Sequence, residues 1–222
     1  MKAKHVMIGG SSGGGKTTYA REMYAKHNGV SIWVNHNDED GLTSRDVDGA
    51  RVARSFSEAK DLVTSCTTQR ELRRLRIDYR CSDPTKGVAD SRQLALAIAD
   101  ATDAEVCTQI IVDEGHTVLP DDEDTSAVKT GNPLAKILHE DRDENVKGVV
   151  MTQDPTELYY PPIKNCKYFV WCGEVKTWHR GYLRYYGLNE VDLPTEDWRY
   201  VVIKPTDPPQ VIDRGTTSEE YA

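Results

Sequence analysis

One stretch of the chain reads Gly10-Ser11-Ser12-Gly13-Gly14-Gly15-Lys16-Thr17 and matches the phosphate-binding pattern G-x-x-x-x-G-K-[ST] in full. The apolar run at residues 5–9 predicts a strand before it, and residues 17–27 predict a helix after it. A Gly/Ser linker that happens to end in Lys-Thr would have neither element. We therefore expect this phosphate loop (residues 10–17), with Thr18, to bind a nucleoside triphosphate. Lys16 would supply positive charge and Thr17 a hydroxyl for Mg²⁺.

The composition limits the classes of protein that the chain can belong to. It has 222 residues and a net charge of −8, so it lacks the overall basic character of a free-standing nucleic-acid binder. Contact with DNA or RNA would have to be local, or lie inside a ring of subunits. The five cysteines form no C-x-x-C pair, which indicates reduced thiols rather than a zinc site. No apolar stretch approaches the roughly 20 residues of a membrane span.

Strand-like and helix-like segments alternate along the chain. Extended apolar patterns lie at residues 30–35, 72–80, 108–113, 146–152 and 168–171, and helical patterns at 57–67, 90–104 and 133–143. In the helix at 90–104 the stripe is Leu94, Ala97, Ile98 and Ala101. Asn132 and Pro133 are typical of a helix start. The alternation predicts an α/β P-loop NTPase of the ASCE/RecA-like type, with a mainly parallel sheet and helices on both faces.

The C-terminal part follows a different pattern. Short extended pieces at 200–204 and 210–212 are broken by prolines and predict edge strands or a hairpin. We expect one P-loop domain over residues 1–214 and a flexible tail over 215–222. The Asp-rich segment 35–49 lacks an apolar period and predicts a solvated loop.

A second motif carries the acids. The segment Gln109-Ile110-Ile111-Val112-Asp113-Glu114 is an apolar strand that ends in two carboxylates, as a Walker B segment does. Asp113 is expected to hold Mg²⁺ through a water, and Glu114 to orient and deprotonate the attacking water. An Asp-Glu pair in a surface turn is the alternative. The adjacent acid favours hydrolysis over phosphoryl transfer to a small acceptor.

A third predicted apolar strand is followed directly by a residue with an amide side chain. Residues 149–152 lead into Gln153-Asp154-Pro155, where the Asp-Pro step ends the strand. Gln153 is expected to hydrogen-bond the γ-phosphate or the lytic water. Lys16, Glu114 and Gln153 are therefore the predicted catalytic residues.

With these elements in order, the chain resembles the FtsK/HerA superfamily of P-loop ATPases. Within it, the chain is similar to the small genome-packaging ATPases of membrane-containing icosahedral viruses. The matching residues are the phosphate loop, Ile110-Ile111-Val112-Asp113-Glu114-Gly115-His116, and Val149-Val150-Met151-Thr152-Gln153-Asp154-Pro155. The resemblance implies a homo-oligomeric ring, commonly a hexamer, that hydrolyses ATP at subunit interfaces and moves double-stranded DNA.

In such a ring, an arginine of the neighbouring subunit completes the site by neutralising charge in the transition state. The sequence leaves two candidates. Arg80 ends a strand that, if parallel, reaches the nucleotide edge. Arg142 ends a helix that runs the other way and would act only in trans or support the structure. A surface or ion-paired arginine is the alternative for each.

Residues 176–186 interleave cations with aromatic side chains after a strand and suggest a projecting hairpin. Lys176, Trp178, Arg180 and Arg184 are the candidate DNA contacts, because cations neutralise phosphates and planar groups grip bases or sugars. Alternatively, the aromatic side chains pack under the hairpin and the cations are solvated.

The motifs predict an ATPase with Mg²⁺ as cofactor, and the resemblance implies that it packages viral double-stranded DNA. Its expected partners are the DNA, further copies of itself and capsid vertex proteins, in the cytoplasm of an infected host cell or at the virion vertex. A nucleotide or nucleoside kinase is one rival. An ATP-dependent switch or DNA-transfer coupling protein is the other, because the same loop and acids would serve it.

Overall fold

The computed structural model describes residues 3–35, 47, 49–121, 131–176, 183, 193–206 and 208–217. One sheet runs through this part of the chain. Its strands are β1 (Val6–Gly10), β2 (Val30–Asn35), β3 (Ala50–Ala53), β4 (Arg76–Arg80), β5 (Thr108–Val112), β6 (Val146–Thr152), β7 (Tyr168–Cys172), β8 (Arg199–Lys204) and β9 (Gln210–Thr216). Their order in the sheet is β3-β4-β2-β5-β6-β1-β7-β8-β9.

The strands from β3 to β7 in this order all run parallel, whereas β8 and β9 are antiparallel to their neighbours. The predicted α/β P-loop NTPase fold, with its mainly parallel sheet and C-terminal edge strands, is confirmed. Because parallel strands end at the same edge, the C-terminal ends of β1, β5 and β6 lie together. In the sheet β6 separates the other two.

Helices cover both faces of the sheet, and their bounds are α1 (Lys16–Lys26), α2 (Phe56–Thr64), α3 (Gln69–Leu72), α4 (Pro84–Ala101), α5 (Pro133–His139) and α6 (Tyr160–Ile163). Among the described residues, none of these helices is long and apolar enough to cross a membrane.

The core divides into two layers because successive strand residues point to opposite faces. Helix α1 packs on one face with Ile8 and Ile111. Helices α4 and α5 pack on the other face with Met7 and Ile110. The central strands are therefore buried on both sides, which explains their continuous apolar sequence.

Two element starts differ from the sequence prediction. Residues 69–72 form a short helix with a capping box between Thr68 and Glu71, so β4 begins only at Arg76. Helix α4 begins at Pro84 behind the N-cap Asp83, well before the predicted start at residue 90. Asn132 caps α5 as predicted.

The buried stripe of α4 also differs from the prediction. Leu94 and Ile98 are buried as expected, but Ala95 and Ala99 lie beside them, whereas Ala97 and Ala101 are exposed. The helix is therefore rotated slightly from the predicted face.

The C-terminal end of the chain is ordered further than predicted. Residues 215–217, which were expected to belong to a flexible tail, are ordered, because β9 extends to Thr216 and Thr217 is buried. Strand β3 was not predicted. Most of the segment predicted as a solvated loop, residues 36–46 and 48, lies outside the described residues, as do 218–222.

The Arg76 side chain ties β4 to the C-terminal end of α1. Its guanidinium group is buried and donates to the carbonyl oxygens of Gly29 at 2.8 Å, Leu75 at 3.0 Å and Ala25 at 3.1 Å, and also to that of His27. Of these acceptors, Ala25, His27 and Gly29 lie at or just after the end of the helix that follows the phosphate loop. The arginine therefore anchors this helix to the sheet.

Replacing Arg76 by Met should lower the free energy of unfolding by about 3 kcal/mol, because several buried carbonyl groups lose a charged donor. Chemical denaturation followed by circular dichroism measures the change. The matched control is Arg74→Met, since Arg74 is exposed and the same substitution there should cost little. Equal stability of the two variants would contradict the anchoring role.

Candidate active site

The phosphate loop connects β1 to α1 and packs tightly on the end of β7. Gly10, Gly13 and Gly15 all have positive φ angles, of 142°, 76° and 94°. A Cβ atom on Gly10 would lie 2.0 Å from the carbonyl oxygen of Cys172, and one on Gly14 would lie 2.7 Å from it. The glycines are therefore required both by the backbone conformation and by the close approach of a second chain segment.

Lys16 lies inside the loop that it follows. Its side chain is buried, and Nζ donates to the carbonyl oxygens of Gly10 at 2.9 Å and Ser11 at 2.8 Å. Burial lowers the pKa of the Lys16 ammonium group, and the nearby carboxylates of Asp113 and Glu114 oppose this shift. The positive charge of the loop therefore lies within electrostatic range of the acids at the end of β5.

The two acids that follow β5 have different hydrogen-bond partners. Asp113 Oδ1 accepts a hydrogen bond from the backbone N–H of Glu114 at 2.9 Å. Glu114 has φ 49° and ψ 54° and precedes the 3₁₀ turn Gly115–Thr117. The left-handed conformation is uncommon for a residue with a Cβ atom, and such residues often occur at functional sites. The turn places the Glu114 side chain away from the strand pairing.

Gln153 contacts Glu114 directly. Its amide Nε2 donates to Glu114 Oε1 at 2.7 Å. On the other side of the carboxylate, His116 Nδ1 lies 3.4 Å from Glu114 Oε2, and His116 Nε2 lies 3.7 Å from Glu157 Oε2. The sequence placed Gln153 beside the γ-phosphate or the lytic water, and a partner role toward Glu114 was not foreseen.

The residues expected to hold Mg²⁺ are of a suitable chemical type. Thr17 is the second residue of α1, and Asp113 follows β5, so a hydroxyl and a carboxylate are available. Mg²⁺ is usually bound by one or two such oxygen ligands together with phosphates and waters. No group of three or more His, Cys, Asp or Glu among the described residues could hold a metal by itself. A site shared with a triphosphate needs no such group.

The two candidate arginines lie in very different places. Arg80 ends β4, and its side chain is 5% exposed and forms an ion pair with Asp78 at 2.8 Å. Arg142 follows α5, and its side chain is 52% exposed. The Arg142 carbonyl accepts from Ala3 N–H, so the residue lies at the edge where β1 begins. Arg142 thus lies at the edge opposite to its own phosphate loop, as predicted, and Arg80 is not presented to a neighbour in this conformation.

Three of the candidate DNA contacts, Trp178, Arg180 and Arg184, lie outside the described residues. Lys176 is half-buried and follows β7. The strands on either side of this segment, β7 and β8, are antiparallel neighbours. Leu183 within the segment is buried in the core.

The C-terminal strands bring to the phosphate loop two residues that were not predicted to lie there. A Cβ atom on Gly15 would lie 2.8 Å from Thr217 Oγ1 and 3.5 Å from Trp198 Cε3. Nothing in the local sequence around Trp198 or Thr217 indicates this contact, because it depends on the antiparallel pairing of β8 and β9. The position of His116 beside Glu114 likewise has no local signal in the sequence.

Comparison with known proteins extends the fold assignment. No protein-family model and no curated protein sequence matches the chain. Among solved structures, it is similar to the genome packaging NTPase B204 from Sulfolobus turreted icosahedral virus 2 in complex with AMPPCP. The identity is 13%, the TM-score is 0.67, and the match covers 95% of this chain and 97% of that one.

B204 from Sulfolobus Turreted Icosahedral Virus, described as a DNA-packaging ATPase, matches with 15% identity, a TM-score of 0.66, and coverage of 96% and 98%. The N-terminal domain of zonular occludens toxin from Neisseria meningitidis matches with 13% identity, a TM-score of 0.52, and coverage of 100% and 97%. At these identities the likeness concerns the fold. In fold, the chain resembles the viral genome-packaging ATPases, as its motifs predicted.

Proposed function

We propose that the chain is an ATP-hydrolysing DNA translocase that packages a viral double-stranded genome, acting as a homo-oligomeric ring. The single observation that best supports hydrolysis is the position of Glu114. Its carboxylate projects from a left-handed turn at the end of β5 and is bonded by Gln153 from β6, the strand next to the phosphate loop. A carboxylate at this position can act as the general base that deprotonates an attacking water.

In the proposed reaction, water attacks the γ-phosphorus of ATP, and the bond from this phosphorus to the β,γ-bridging oxygen breaks. Glu114 accepts the proton of the water. Backbone N–H groups of the phosphate loop and the Lys16 ammonium group bind the phosphate oxygens. Thr17 and Asp113 would hold Mg²⁺, which when bound neutralises charge on the phosphates. Gln153 orients Glu114 through their hydrogen bond.

Support for packaging comes from the fold and from the charge of the chain. The solved structures that it resembles include a genome packaging NTPase and a DNA-packaging ATPase. The net charge of −8 means that DNA would be bound by a local surface rather than by the whole protein. In the proposal, that surface faces the centre of the ring, and the ring acts at a capsid vertex in the infected host cell.

Replacing Glu114 by Gln should lower the turnover of ATP by about 10²–10⁴-fold, because the amide cannot accept the proton of the water. ATP binding should persist, since the phosphate loop is unchanged. Phosphate release and binding of ATP measure the two effects. The control is Glu157→Gln. Glu157 contacts the other side of His116, so the same substitution there should leave turnover within a few-fold of the wild-type rate. Turnover of Glu114→Gln near the wild-type rate would exclude the water-activating role.

Linear double-stranded DNA should raise the ATPase rate several-fold and make it depend on protein concentration, because assembly on DNA completes the sites. Adding salt should weaken the stimulation. The Lys16→Ala variant, which lacks the phosphate-binding charge, sets the background. A rate that is indifferent to DNA and rises with an added nucleoside would favour a kinase instead.

We expect Arg142 to act in trans. Arg142→Ala and Glu114→Gln should each be inactive alone, and mixing them should restore activity. About a quarter of the interfaces in a random equal mixture pair an intact Glu114 with a neighbour's intact Arg142. The ATPase rate of mixed variants measures this effect. The same mixture with Arg80→Ala serves as the comparison, because Arg80 is paired with Asp78 inside its own sheet. Recovery with Arg80→Ala instead of Arg142→Ala would reverse the assignment.

A further inference from the structure

Trp198 presents an exposed ring beside the phosphate loop. It directly precedes β8 and is 37% exposed, which makes it the largest of the exposed apolar side chains in the described residues. Its Cε3 atom lies 3.5 Å from the position of a Cβ atom on Gly15. A large aromatic ring is costly to expose to water. Its exposure beside the phosphate loop therefore suggests that a ligand covers it.

The backbone of Trp198 is held in an unusual conformation. Its φ angle is 63°, in the left-handed region that large side chains rarely adopt. Thr217 holds it there, because its backbone N–H and its hydroxyl both donate to the Trp198 carbonyl oxygen, at 2.8 Å and 3.1 Å. Thr217 is itself 1% exposed and lies against Gly15. The residue that holds the Trp198 backbone in this conformation is therefore buried.

Strand β8, which begins directly after Trp198, also packs against α1, the helix that follows the phosphate loop. The rings of Tyr19 in α1 and Tyr200 in β8 lie 4.8 Å apart. The hydroxyl of Tyr200 donates to Asp213 in β9 at 3.3 Å. The backbone of Trp198 is thus held by Thr217 and by the strand that follows, so the ring starts from a fixed point beside Gly15.

The order of strands fixes which end of a nucleotide meets this ring. In the sheet, β5 and β6 lie on one side of β1, and β7 and β8 lie on the other. The γ-phosphate must face Glu114, which lies on the β5 side. The α-phosphate and the nucleoside therefore lead away toward β8, where Trp198 is placed.

We propose that Trp198 stacks on the base of the bound nucleoside triphosphate, a proposal that rests on the proposed function above. Stacking on a planar ring tolerates any base, because every base has an aromatic face. The site therefore recognises a nucleoside triphosphate by its base as well as its phosphates, and discriminates weakly among bases.

The test compares ATP with inorganic tripolyphosphate, which has the phosphates without the base, each in the presence of Mg²⁺. Trp198→Asn removes the ring, and Asn tolerates the left-handed backbone. Trp198→Tyr keeps a planar ring. We expect Trp198→Asn to weaken ATP binding about tenfold and to leave tripolyphosphate binding within twofold of wild type. Trp198→Tyr should bind ATP within about threefold of wild type.

Tryptophan fluorescence gives a second readout. ATP should quench the wild-type signal and tripolyphosphate should not, and the ATP-dependent change should be lost in Trp198→Tyr although it still binds ATP. ATP affinity unchanged in Trp198→Asn overturns the proposal, and so does an equal loss for both ligands. Wild-type protein that binds neither ligand overturns the proposed function and this inference together, whereas the first two outcomes leave the proposed function intact.

Discussion

The active site depends on the close packing of the phosphate loop against the strands that follow it in the sheet. Gly10 and Gly14 touch the end of β7, and Gly15 touches Thr217 beyond β9. Side chains at these glycines would collide with backbone or with a buried hydroxyl. The phosphate loop therefore packs against both the parallel part of the sheet and the antiparallel C-terminal strands. Its conformation is set from both sides before any phosphate binds.

The order of the strands also brings the predicted catalytic groups together. β6 lies between β5 and β1, so its tip is the natural bridge between the acids and the loop. Gln153 occupies that tip and donates to Glu114. Because Gln153 follows the strand between the loop and the acids, its hydrogen bond fixes the proposed base relative to the loop.

Local patterns in the sequence predicted the central strands to within a few residues, because strands buried on both faces read as continuous apolar runs. They did not predict β3, since Ala50–Ala53 is short and mostly exposed at the sheet edge. Trp198 and Thr217 could not be connected to Gly15, because strand pairing brings together residues far apart in sequence. The pairing of Arg80 had a local signal: Asp78 lies two residues earlier, on the same face of β4.

The two edges of the sheet explain why the site of a single chain is incomplete in the proposed function. β6 has seven residues, so the nucleotide edge and the edge that carries Arg142 are about 20 Å apart. No side chain spans that distance. Arg142 reaches a phosphate loop only if the opposite edges of two copies meet. Contacts between unlike surfaces repeat from copy to copy and close into rings when the rotation permits. In the proposed function, the charge that completes hydrolysis is available only in the assembly, so we expect an isolated chain to bind ATP but to turn it over slowly.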